Sequence, residues 1–141
     1  MLWGSAQKSL LRPLQIKQNK AIRCITGSPY NSSAPPLYKQ TSVPRLDDMY
    51  KIELSKFMYL HYHKSLPLRL LSLFQSNDNT HNYNTRHCKD PHILRRKSHV
   101  HNSFIAKGPE LWLSLPESTK LCPSIVSFKL KMKLGLISEY A

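Results

Sequence analysis

The sequence is poor in acid, in glycine and in cysteine, and each shortage excludes a class of protein. Eight Asp and Glu stand against twenty-one Lys and Arg, a net charge of +13 with seven histidines besides. A metal-dependent phosphoryl-transfer centre is hard to assemble from so few carboxylates. Four glycines against ten prolines argue against a glycine-cornered sheet or barrel and for helices broken by stiff bends. The three cysteines, Cys24, Cys88 and Cys122, are odd in number and far apart. They make neither a disulfide framework nor a CxxC pair, which points to a reducing compartment. No apolar run is long enough to span a bilayer, and Lys8 and Arg12 interrupt the N-terminal stretch where a leader's apolar core would lie. The expectation is a soluble, intracellular chain, nuclear or cytoplasmic, with no signal peptide and no membrane partner. Gly-rich phosphate loops, GxSxG elbows and HExxH pairs are also missing.

The 141 residues suffice for one modest domain or two small helical subdomains. Periodicity and punctuation divide them into a helical segment (1–74), a basic polar loop (75–102) and a C-terminal helical segment (103–141). In the first, helices are expected near 5–25, 45–63 and 66–74. At 100° per residue, Leu10, Leu11, Leu14, Ala21, Ile22 and Ile25 share one face of the first helix and predict its buried side. Pro13 suggests that the regular helix starts near it, with residues 5–12 a separate turn. Thr26-Gly27 supplies the stop. Residues 28–45, with Pro29, Pro35, Pro36 and Pro44, read as extended linker.

From Arg45 to His63 runs the strongest pattern, a stripe of Leu46, Tyr50, Leu54, Phe57, Met58 and His61. Phe104, Ile105, Leu111, Trp112 and Leu115 predict a buried helix or turn around Gly108-Pro109. Ser124 is placed to cap a final helix whose inner face is Ile125, Phe128, Met132 and Leu136, with Lys129, Lys131 and Lys133 on its flanks and back. The expected fold is mainly α, a small helical domain with long Pro-rich and basic loops and marginal stability on its own.

The charge is not evenly spread. Residues 1–30 carry five basic residues and no acid, and Lys8, Arg12, Lys20 and Arg23 cluster opposite the apolar face of the first helix. A second basic segment holds Tyr83, Arg86, Lys89, Arg95, Arg96 and Lys97, with Asp90 the single acid among them. Such excess favours a polyanion, because each neutralised phosphate releases condensed counterions. Tyr83 is available to stack on a base. The plain alternative for each patch is a solvated charged face.

Three other constellations carry less. Asp47-Asp48 resembles a polymerase aspartate pair, but it follows Pro44 at a helix start, where acids complement the helix dipole. Asp47 is placed near the edge of the buried face and Asp48 away from it. His81, His87, Cys88, His92, His99 and His101 lack the paired thiolates and short spacing of a closed zinc site, so neither metal nor cofactor is expected. His61 reads as a satisfied core or interface histidine, and Cys24 as a structural thiol.

A set of short phrases in fixed order gives a more specific signal. They are Trp3-Gly4; Gln18-Asn19-Lys20-Ala21-Ile22-Arg23 leading to Ile25-Thr26-Gly27; Leu46-Asp47-Asp48-Met49-Tyr50 leading to Lys56-Phe57-Met58-Tyr59; Leu66-Pro67; His81-Asn82-Tyr83-Asn84-Thr85-Arg86; Gly108-Pro109-Glu110-Leu111-Trp112; Leu115-Pro116; and Ser127-Phe128-Lys129. Across nearly the whole chain this order resembles the C-terminal end of jockey- or CR1-type non-LTR retrotransposon reverse transcriptases. The resemblance implies a helical region downstream of the polymerase palm, similar to a thumb and the linker after it. That region would handle RNA or DNA template and primer through phosphate contacts without a catalytic centre of its own. Leu113 departs from the family, which usually has Asn after this Trp. The resemblance also implies that Met1 lies where a much longer polyprotein would already be under way. The rival expectations are a captured stand-alone nucleic-acid-binding module and a degenerate fragment with no activity.

Overall fold

In a computed structural model of the chain, residues 4, 6–74, 91–92 and 103–140 are described. They form seven helices and no strand: α1 (Lys8–Thr26), α2 (Ala34–Thr41), α3 (Leu46–Tyr62), α4 (Leu68–Leu71), α5 (Phe104–Ser114), α6 (Glu117–Lys120) and α7 (Ile125–Ser138). The mainly helical expectation holds. None of these helices is long and apolar enough to cross a membrane.

α1 corrects the sequence reading twice. It runs unbroken through Pro13, with no separate turn before it. It is also rotated away from the apolar face the wheel predicts: Ile22 is buried, but Leu10, Leu14 and Ile25 are exposed. Polar side chains decide that rotation. Gln15 Oε1 and Gln18 Oε1 accept from the Leu46 amide at 3.2 and 3.0 Å, and Gln18 Nε2 donates to the Pro44 carbonyl at 3.0 Å. The N-cap of α3 is Arg45, which makes no side-chain cap, so α1 satisfies an amide at that helix start that has no intrahelical acceptor. Gly27 ends α1 as expected, in the left-handed region at φ 62°, with the Ser28 amide reaching back to the Arg23 carbonyl at 3.0 Å.

The linker reading of residues 28–45 is overturned in part by α2. Pro35 and Pro36 lie in its first turn, where amides have no intrahelical acceptor and a missing donor costs nothing. Tyr38 from this helix is buried, and its hydroxyl donates to Asn19 Oδ1 at 2.8 Å.

α3 is the central helix, packed against α5 on one side and α7 on another, with α1 near its start. The expected stripe is present, since Tyr50, Leu54 and Met58 are buried. Phe57, however, sits at the rim of the core, edge-on to Phe74 and Phe104. A second face carrying Asp48, Ile52, Ser55 and Tyr59 is buried as well. The expected placing of the two aspartates is thereby reversed: Asp48 is buried and Asp47 exposed. His61 is satisfied as expected, its Nε2 3.1 Å from the Leu71 carbonyl and its ring edge-on to Phe74. Cys24 is exposed, which removes the structural-thiol reading.

The helix α5 spans Gly108 and Pro109, both buried. Gly108 lets the two helices approach closely, because a Cβ there would stand 2.8 Å from Met58 Sδ and the methionine side chain would have to shift. Ser124 caps α7 as expected, its hydroxyl accepting from the Ser127 amide at 3.2 Å. Phe128 and Met132 enter the main core beside Ile52, Met58, Tyr59, Phe74, Trp112 and Cys122, while Ile125 and Leu136 pack at its edge. A second cluster of Ile22, Ala34, Tyr38, Ile137 and Tyr140 joins α1 and α2 to the end of α7.

Candidate nucleic-acid interface

α1 is a cationic helix whose last turn suits its dipole, with Arg23 there, and whose first turn does not. Its first turn holds Lys8 and no acid, although the positive end of a helix favours negative charge. Asp48 and Glu53 of α3 and Glu117 of α6 pair with nearby lysines instead. Asp48 pairs with Lys51 at 2.8 Å, Glu53 with Lys56 at 3.0 Å and Lys129 at 3.7 Å, and Glu117 with Lys120 at 3.0 Å. The hydrogen bond from Lys56, with the charges of Lys56 and Lys129, keeps the Glu53 carboxyl below its usual range despite partial burial. Among the described residues, no ion pair reaches a cation of α1.

The four expected residues do not form one patch. From Lys8 to Arg23 the helix advances about 22 Å at its standard rise. Lys8, Arg12 and Lys20 are exposed and Arg23 is half-buried. Lys20 and Arg23 converge on the ring of Tyr30, at 5.8 and 6.0 Å from its centroid. Arg23 is fixed there by a bond from its Nε to the Ser32 carbonyl at 2.9 Å. Tyr30 itself is 76% exposed. The sequence reading missed it, because nothing in the run Ser28-Pro29-Tyr30-Asn31-Ser32 distinguishes an exposed aromatic from a loop anchor. Only the return of the chain beside α1 does so.

Lys8 stands at the other end, on the lip of a cleft of about 770 Å³ formed by the starts of α1 and α3 and by α5. Lys51 and Lys107 also face this cleft, with the carboxylates of Asp47 and Glu110, over a floor that includes Leu11, Tyr50 and Leu54. Gly4 lets the Tyr50 ring pack directly on the backbone, leaving no room for a Cβ. The mixed charge makes this cleft a poorer polyanion site than the open face of α1.

Asp48 does not face the cleft as a free ligand. One oxygen takes Lys51 and the other accepts from the Tyr140 hydroxyl at 2.6 Å. Among the described residues, no three His, Cys, Asp or Glu gather as a metal site. Of the second basic segment, Tyr83, Arg86, Lys89, Arg95, Arg96 and Lys97 lie outside the described residues, as do His81, His87, Cys88, His99 and His101. His92 is half-buried. The chain matches no protein-family model, no curated protein and no solved structure.

Proposed function

We infer that this chain is a non-catalytic nucleic-acid-binding unit, the C-terminal part of a reverse transcriptase of a non-LTR retrotransposon. In that setting the parent protein is an RNA-directed DNA polymerase, and this part holds template and primer. The observation that supports binding is α1, an acid-free helix whose five cations have no carboxylate partner among the described residues. The polymerase setting rests on the ordered phrases from Trp3-Gly4 to Ser127-Phe128-Lys129. Contacts of Lys and Arg to phosphates fix register without reading bases, so the binding is expected to be sequence-tolerant.

The packed core around Trp112 and Phe128 favours a second setting, a captured stand-alone binder, over a degenerate fragment. Both settings share the same interface. The test is binding of labelled RNA and DNA at low salt, with primer extension run beside it. Binding without nucleotide incorporation is expected. No binding at low salt would leave the degenerate fragment, and incorporation lost in Asp47→Asn would contradict the non-catalytic reading.

A further inference from the structure

Tyr30 sits in the turn between α1 and α2, where the Ser32 amide bonds to the Pro29 carbonyl at 3.0 Å and the Ser32 hydroxyl to the same oxygen at 2.6 Å. These two bonds hold Pro29 to Ser32 as a closed loop, with Tyr30 at its outer corner. A tyrosine normally buries its ring, and Tyr38, eight positions on, is fully buried. Tyr30 instead keeps its ring in solvent while two cations one helical turn apart stand over it. Arg23 is tied to this same loop through Ser32, so ring and guanidinium are positioned by one hydrogen-bonded unit.

We propose that Tyr30 is a stacking platform for an unpaired base, with Lys20 and Arg23 holding the flanking phosphates. This rests on the nucleic-acid reading above and narrows it to single strands. Bases within a duplex are stacked on one another and present no free face, whereas every unpaired base does. An exposed ring already ordered by a closed turn loses little freedom on stacking. The neighbouring cations supply the charge that a strand's backbone needs on either side of the stacked base.

The test compares a short oligothymidylate with a blunt duplex of equal length, using the full chain and the variants Tyr30→Ala, Tyr30→Phe and Tyr30→Trp. Tyr30→Ala is expected to weaken the single strand roughly ten- to a hundredfold while changing the duplex far less, and Tyr30→Phe is expected to retain binding. Tyr30→Trp is expected to bind with a fluorescence quench on the single strand that the parent lacks. Single-strand affinity unchanged in Tyr30→Ala, with duplex binding intact, would overturn the platform and leave the phosphate interface standing. Equal losses on both ligands would also overturn it, by making Tyr30 a structural support for Arg23. A parent chain that binds neither ligand at low salt would remove the platform together with the reading beneath it.

Discussion

The hydroxyl of Tyr140 donates to Oδ2 of Asp48 at 2.6 Å, joining the last turn of the described chain to the start of α3. The same hydroxyl accepts from the Arg45 amide at 2.9 Å, and Lys39 Nζ donates to the Tyr140 carbonyl at 3.3 Å. One side chain thus serves a helix start and a buried carboxylate. Tyr140→Phe keeps the ring packing against Tyr38 but strands one carboxylate oxygen and one amide. A loss of about 1–3 kcal/mol is expected, read as a lower urea midpoint with an unchanged slope. Unaltered stability would mean that water replaces the hydroxyl at no cost.

Burial, reinforced by the Asp48 carboxylate, pushes the Tyr140 hydroxyl up to about 12. An unfolded chain releases the same proton near its ordinary value of about 10. The folded state therefore keeps a proton that the unfolded state loses. This stabilisation is fully present below about pH 10 and is lost between there and about pH 12, by at most about 1.4 kcal/mol per unit. Tyr38 and Tyr50 are raised by burial as well and act in the same direction. Urea melts from neutral pH upward should show stability falling across that window, less steeply in Tyr140→Phe. A rise would contradict the assignment.

Ser55 is fully buried on α3, and among the described residues its hydroxyl has no hydrogen-bond partner. A buried donor left unmade carries a desolvation cost of about 1–3 kcal/mol, and alanine also has the better helix propensity. Ser55→Ala is accordingly expected to stabilise the chain by about 1 kcal/mol in the same melts. A loss of that size would mean that the hydroxyl has a partner the geometry does not show.

These residues mark where sequence reasoning reached and where it stopped. The start and inner face of α7 and the burial of Gly108-Pro109 were legible, because a cap and an apolar period are local signals. The rotation of α1 was not, since it depends on Gln15 and Gln18 meeting the Leu46 amide rather than on where leucines fall. α2 is hidden in the sequence because Pro35 and Pro36 break a helix interior yet fit a first turn, and only the structure shows which position they hold. Asp48 looked like a solvent-facing acid until Tyr140 came to it from the far end of the chain. Of the candidate interface, the cations of α1 were visible in sequence, and their split between Tyr30 and the cleft was not.

On the proposed reading, the cations of α1, which have no carboxylate partner among the described residues, engage nucleic acid, rather than the bulk charge of the chain. Salt-dependent binding to a duplex tests it through two variants that each remove three positive charges: Lys8→Gln with Arg12→Gln and Lys20→Gln on α1, and Lys129→Gln with Lys131→Gln and Lys133→Gln on α7. If the parent engages ~5 phosphates, log affinity falls against log salt with a slope near −4 to −5. The α1 variant is expected to flatten that slope by roughly 2 to 3, weakening all sequences alike, and the α7 variant to leave it close to the parent's. Equal flattening by both variants, or a parent slope retained in the α1 variant, would mean that α1 is not the binding face.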